Sequence, residues 1–292
     1  MRLRRALRIL GRACVALAAL AFLVLAYVFL TLPDVRPLAT ANPKSTAFMQ
    51  LRAREAAARG RTARRTQIWI SYTRISQNLK RAVLVAEDDA FWEHEGIDVE
   101  QIRRSIEIDL AKGAALRGAS TITQQLAKNL YLSPSRDPLR KLRELIIARR
   151  LEAALPKARI LELYLNVIEW GDGIWGAEAA ARIYFQTSAA ALSREQAALL
   201  AGAIVNPRLL SPAHPNGRLL RRQRIILGRM GSVEPPAPVP MPTPSPTEDA
   251  ETEPSPPEGA SSQPPDPEGF PEAAPPDTAS PETPPPSPQD TP

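Results

Sequence analysis

Residues 13–32, ACVALAALAFLVLAYVFLTL, run for twenty positions without a charge, and a helix needs about 20 mostly apolar residues to cross the hydrocarbon core of a bilayer. A cleavable secretory signal has a shorter apolar centre, roughly 7–15 residues, and ends at a small-x-small site. This run ends instead in Phe29, Leu30, Thr31, Leu32 and Pro33, so an uncleaved anchor is expected. Arg2, Arg4, Arg5, Arg8 and Arg12 all precede it. A basic flank before a span holds that end in the cytoplasm, which puts everything after Pro33 on the outer side.

The opposite end has the reverse composition. Residues 232–292 hold 22 of the 31 prolines and 12 of the 31 acidic residues, with no lysine or arginine. Such a segment buries too little apolar surface to offset chain entropy and is expected to be disordered, whether as a spacer, a partner-binding polyproline II stretch or mere reach. Without it, 37 basic residues stand against 19 acidic ones, a formal charge of +18. For an outward-facing anchored domain that balance favours anionic lipid or a phosphorylated substrate over nucleic acid. The only cysteine, Cys14, lies within the apolar run, and His94 and His214 are the only histidines. An intramolecular disulfide is thereby excluded and a zinc centre disfavoured, and no metal ligands are assigned.

Between these ends the apolar period is helical nearly throughout, with no convincing alternating ladder, so a mainly α domain is expected over 61–231. The pattern predicts helices over 75–86, 121–132, 139–155, 158–168, 177–184, 193–205 and 218–230. Thr121 with Gln124 and Ser193 with Gln196 have the spacing of capping boxes. Segment 33–60, rich in Arg and Ala, reads either as a juxtamembrane helix against anionic lipid or as a stalk.

Three clusters are chemically suggestive. In GASTITQQLAKNLYL, 118–132, helical geometry gathers Gln124, Gln125, Lys128 and Asn129 on one arc and Ile122, Leu126 and Leu130 on the other. That polar arc is either a solvated face or a cleft lining, where amides meet sugar hydroxyls and the lysine meets an anion. In VAEDDAFWEHEGID, 85–98, an apolar helix runs into Glu87, Asp88 and Asp89 before a turn at Gly96. Repulsion and the negative helix end would raise a carboxylate's pKa toward the range of a general base, although acidic loops are usually just solvated. His94 reads as an orienting or packing residue. In LRKLRELIIARRLE, 139–152, Arg140 and Glu144 lie one turn apart with Lys141 between, a spacing that ordinary surface ion pairs also show.

Their order along the chain is Glu-Asp-x-x-Phe-x-x-His-x-Gly (87–96), Gly-x-Ser-Thr-Ile-Thr-Gln-Gln-Leu-x-Lys-Asn (118–129) and Arg-Lys-x-x-Glu (140–144). This resembles the monofunctional peptidoglycan glycosyltransferases that polymerise lipid II. A fourth block, Lys-x-x-Ile-Leu-Glu-x-Tyr-Leu-Asn at 157–166 with the Gly- and Ala-rich stretch after it, resembles the same family.

The resemblance implies a lysozyme-like, two-lobed, mainly α domain behind a single N-terminal transmembrane helix. It implies Glu87 as the base that deprotonates the acceptor's 4-hydroxyl and Lys128, Arg140 and Lys141 as cations for the departing undecaprenyl pyrophosphate. Glu144 becomes the second essential glutamate, orienting the cations or assisting departure. Ser120, Thr121, Gln125 and Asn129 become cleft residues. Asp88 is placed to help hold a divalent cation, Mg or Mn, on the pyrophosphate; no tightly bound cofactor is expected. The implied partners are lipid II, the growing glycan strand, membrane lipid and cell-wall synthesis or division proteins. The implied setting is a bacterial inner membrane with a periplasmic domain. The Ser-x-x-Lys, Ser-x-Asn and Lys-Thr-Gly set of transpeptidases is absent, so glycan synthesis without cross-linking is expected. A lytic enzyme and a silent lipid-binding scaffold are the rival readings; the cations argue against the first and the retained glutamates against the second.

Overall fold

The computed structural model describes residues 2–103, 107, 120–134 and 137–232, with side chains from residue 9 onward. The Pro-rich stretch from 233 and Gly118 of the second motif lie outside the described residues. The apolar run belongs to helix α1, Arg2–Leu30. Within it, the 22 residues Ile9–Leu30, apolar apart from Arg12 near the start, are almost wholly unburied, as suits a helix facing lipid hydrocarbon, and their length of about 33 Å matches a bilayer core.

The domain is mainly α. Helices α2 (Ala47–Ala57), α3 (Gln77–Glu87), α4 (Ile122–Tyr131), α5 (Pro138–Ala154) and α6 (Lys157–Val167) are followed by α7 (Ala177–Phe185), α8 (Arg194–Ala203) and α9 (Gly217–Arg229). The periodicity placed seven of these within two residues at each end. Ser193 and Gln196 form the complete capping box at the start of α8. At α4 only half forms: Thr121 accepts from the Gln124 amide N–H, but the Gln124 side chain turns elsewhere.

Three short strands, Thr66–Gln67 (β1), Glu169–Gly171 (β2) and Ile174–Trp175 (β3), make a sheet of order β1-β3-β2. β1 runs parallel to β3 and β2 antiparallel to it. A two- or three-residue strand is too short to display an alternating pattern, which is why the sequence showed none.

The middle of the domain is α6. Every residue from Arg159 to Val167 is buried, the signature of a helix enclosed on all faces. Its polar residues are therefore all partnered: Asn166 holds the backbone of Ile70 through both its oxygen and its nitrogen, and Glu162 accepts from the Tyr72 N–H at 2.8 Å. The core that encloses α6 also holds Leu79 and Leu84 of α3, Ile122 and Leu126 of α4, and Ile147 and Leu151 of α5. α4 lies between α5 and α6, while α8 packs on α3 and α9.

Segment 33–60 is neither stalk nor free lipid-facing helix. Arg159 reaches from α6 to the carbonyls of Leu38 and Ala41 and to Asn42, Arg52 of α2 binds Glu169, and α2 packs on α4. The fold thus begins well before residue 61, and α2 is part of it.

Candidate active site

α3 starts on a cap, Ser76 accepting from the Leu79 N–H, and buries Leu79, Ala82, Val83, Leu84 and Val85. Burial of that face brings the last turn, with Glu87 and Asp88, against the start of α4. Asp88 leaves the helix fully buried and accepts from the Ile122 N–H and from His94 Nε2, both at 2.9 Å. His94 Nδ1 accepts from the Gly96 N–H, so the ring proton sits on Nε2. The Asp88 carboxylate thus brackets the end of α3 to the first turn of α4, where its negative charge also suits the helix dipole. This corrects the expectation that Asp88 meets substrate: both oxygens are engaged out of reach of solvent, and it does not fit as a ligand for a divalent cation on the pyrophosphate.

The turn at Gly96 supplies the second bracket. With φ at +83° the position favours glycine, and an added Cβ would lie 2.9 Å from the Glu152 side chain and 3.3 Å from the Ala148 carbonyl. Its carbonyl accepts from Thr121 Oγ1 at 2.8 Å and from Gln124 Nε2 at 3.3 Å. Thr121 is fully buried, with its hydroxyl used in both directions. It too is structural rather than a cleft residue.

The paired amides of α4 act chiefly as internal connectors. Gln125 Nε2 donates to Glu87 Oε2 at 2.9 Å, and Gln125 Oε1 accepts from the Tyr164 hydroxyl at 2.9 Å. Gln125 also donates to the carbonyl of half-buried Ser120 at 3.4 Å. Asn129 donates back to the Gln125 carbonyl, and Gln124 accepts from Lys141 Nζ at 3.1 Å. The arc anticipated as a sugar-binding face is therefore first a scaffold for charged groups.

Tyr164 and Arg222 were not picked out as site residues. Burial, with Glu87 and Asp88 nearby, drives the Tyr164 phenol well above its ordinary pKa, so it stays a proton donor and turns the Gln125 amide with its NH2 toward Glu87. Tyr164 sits in the fourth motif, which was the available signal. Arg222 of α9, anchored by Nε to the Gly202 carbonyl, faces Glu87 electrostatically from outside any motif.

Glu87 keeps some surface access, yet desolvation raises its pKa; the Gln125 hydrogen bond, Arg222 and Lys128 pull it down, and Asp88 pushes it up slightly. Burial rather than the run of acids is thus the main cause. Gln125→Ala removes the largest opposing influence, so the acidic limb of the activity–pH profile should move to higher pH. A profile of kcat/KM against pH with an unmoved limb would refute that wiring.

The third motif is a buried clamp. Glu144 is 3% exposed and accepts from Arg140 Nη1 with one oxygen and from Lys141 Nζ with the other. An exposed pair of this spacing is worth only a few tenths of a kcal/mol; here one carboxylate fixes two cations, with Lys141 also held by Gln124. Lys128 projects from α4 toward the same group. Among the described residues it has no carboxylate within ion-pair distance. Burial is the main cause that lowers its pKa; Glu144 is the largest opposing influence, Arg140 and Lys141 push the same way as burial, and Glu87 adds a smaller opposing effect. An ammonium held beside two other cations is stabilised when a polyanion arrives.

Residues 53–231 match the family model described as Transglycosylase. A biosynthetic peptidoglycan transglycosylase of Nitrosospira multiformis is 49% identical over 195 residues, 67% of this chain and 85% of the relative. That of Thiobacillus denitrificans is 50% identical over 196 residues, 67% and 84% of the two chains. For that of Aromatoleum aromaticum the match is 48% over 206 residues, 70% and 88%. With the family model spanning more than half of its length and these relatives matched over most of theirs, the chain belongs to the transglycosylase family.

Proposed function

We propose that this chain is a membrane-anchored peptidoglycan glycosyltransferase that polymerises lipid II into β-1,4-linked strands and releases undecaprenyl pyrophosphate. The observation that carries the reading is the pairing of a desolvated carboxylate, Glu87, with a largely buried ammonium, Lys128, that makes no direct ion pair among the described residues and lies next to a fixed pair of cations. Glu87 takes the proton of the acceptor 4-hydroxyl as that oxygen bonds to the donor's anomeric carbon. The bond from that carbon to the pyrophosphate oxygen breaks, and the negative charge that develops falls to Lys128, Arg140 and Lys141. Glu144 has both oxygens committed to Arg140 and Lys141, which supports an orienting role rather than proton donation. Attack opposite the leaving group inverts the donor's α linkage to the β product.

A glycan-cleaving enzyme has no pyrophosphate to neutralise, which is why the cation group favours synthesis. Lys128→Met should lower the rate of strand formation from labelled lipid II by about 10²–10³, the typical loss for one preorganised stabiliser of transition-state charge. Cleavage of finished glycan by the wild type, without polymer formation, would replace the synthase by a lytic enzyme. Lipid II binding without turnover would point to the scaffold. For localisation, α1 is a candidate span, and we place it in the inner membrane with the domain in the periplasm; a protease added to spheroplasts should then reach the domain.

A further inference from the structure

Where α1 leaves the apolar run, a cavity of 340 Å³ opens between the anchor and the domain, walled by Tyr27 and Val28 on one side and by Tyr131, Leu132, Arg140 and Arg143 on the other, with Asp137, which caps α5 by accepting from the Leu139 N–H, also in its lining. Arg143 ties α5 to α1: its Nη2 donates to Thr31 Oγ1 at 2.9 Å, and its guanidinium lies 5.4 Å from the Tyr27 ring centroid. The neighbouring Arg150 lies 4.7 Å from the Phe29 ring. Aromatic rings and arginines at the end of a span mark the headgroup level of a bilayer. Two donors at this cavity are unexplained. The Nε groups of Arg140 and Arg143 are buried and have no hydrogen-bond acceptor among the described residues. Buried guanidinium N–H groups in a native structure require a partner, and forked donors suit the paired oxygens of a phosphate.

We infer that this junction cavity is a binding site for the phosphate of an anionic membrane phospholipid, with Arg143 as its principal contact and Val28 and Leu132 beside the start of the acyl chains. The inference rests on α1 as a membrane span, and its principal contact, Arg143, is not one of the cations assigned to the leaving group. Tyr131, whose phenol is pushed up to about 12 by burial and the Asp34 charge, adds a neutral wall. Through Arg140 the bound lipid and Glu144 share one side chain, since Arg140 Nη1 holds that carboxylate.

The test is native mass spectrometry of the full chain, extracted from membranes in mild detergent and supplied with phosphatidylglycerol, phosphatidylcholine or undecaprenyl pyrophosphate. Wild type should retain phosphatidylglycerol over phosphatidylcholine, and Arg143→Gln should lose it about tenfold, as expected for one forked charge-assisted contact. Arg143→Lys keeps the charge and bulk but lacks the fork, so it too should retain less. Arg224→Gln, on α9, should match wild type. Equal loss in Arg143→Gln and Arg224→Gln, or none in Arg143→Gln, would overturn the site, as would full retention by Arg143→Lys. Displacement of phosphatidylglycerol by equimolar undecaprenyl pyrophosphate would assign the cavity to the substrate lipid and overturn the phospholipid. Absence of the wild-type chain from the membrane fraction would remove the span and the inference together.

Discussion

Glu87→Gln should slow strand synthesis by about 10²–10⁴, the usual contribution of a positioned general base, and at the same time raise the melting temperature by roughly 2–4 °C, equivalent to about 1 kcal/mol for a domain of this size. The two effects share one cause. Burial raises the Glu87 pKa in the folded protein, so the ionised form that catalysis needs is a form the fold disfavours. That cost is absent below the unfolded-state pKa, near the ordinary 4.5, grows as pH rises through the folded-state pKa, and is complete above it. The stabilisation by glutamine should therefore be present at neutral pH and disappear in acid. Gln125 still finds an oxygen acceptor in the variant, so the surrounding bonds survive. Lipid II polymerisation paired with thermal unfolding at two pH values tests this. Activity near wild type would remove Glu87 as the base, and a lower melting temperature at neutral pH would contradict the desolvation account.

Glu162→Ala should lower stability by about 3–5 kcal/mol, the range for stranding one partner of a buried ion pair, and the melting temperature by roughly 6–20 °C. Glu162 is 4% exposed, pairs with Arg159 and accepts from the Tyr72 N–H. Its removal leaves a buried guanidinium uncompensated and an amide unpaired. Arg159 also holds the carbonyls of Leu38 and Ala41, so the segment joining the anchor to α2 should become more sensitive to limited proteolysis. Gln at 162 retains an acceptor and should cost less. A chemical rather than structural role would instead show as a fall in kcat at unchanged melting temperature.

How far each residue was legible depended on whether its role is local. Helix positions followed from apolar period and caps, since both are properties of neighbours in the chain; α3 to α9 and the Ser193 box were readable for that reason. The sheet was not, because residues 66–67 pair with 174–175 across more than a hundred positions. Glu87, Lys128, Arg140 and Glu144 could be named only through the family resemblance that their motifs carry together, and the structure gathers Lys128 with Arg140, Lys141 and Glu144. Asp88, Thr121 and the amides could not be sorted, because a polar residue near a helix end serves a substrate or a backbone equally well until its partners are seen. The resemblance puts Asp88 at the substrate, whereas in the structure its carboxylate brackets Ile122; Tyr164, a polar residue of the fourth motif, holds Gln125 against Glu87.

By itself the sequence determined the apolar run, the helical class and the charge surplus of 1–231, carried by composition and period, and the family, carried by its motifs and its likeness to relatives. Only the tertiary structure decided which polar groups are spent on the fold and which remain for chemistry. A hydrogen bond is used up by whatever lies within about 3 Å of it, and in this domain that neighbour comes from a distant helix.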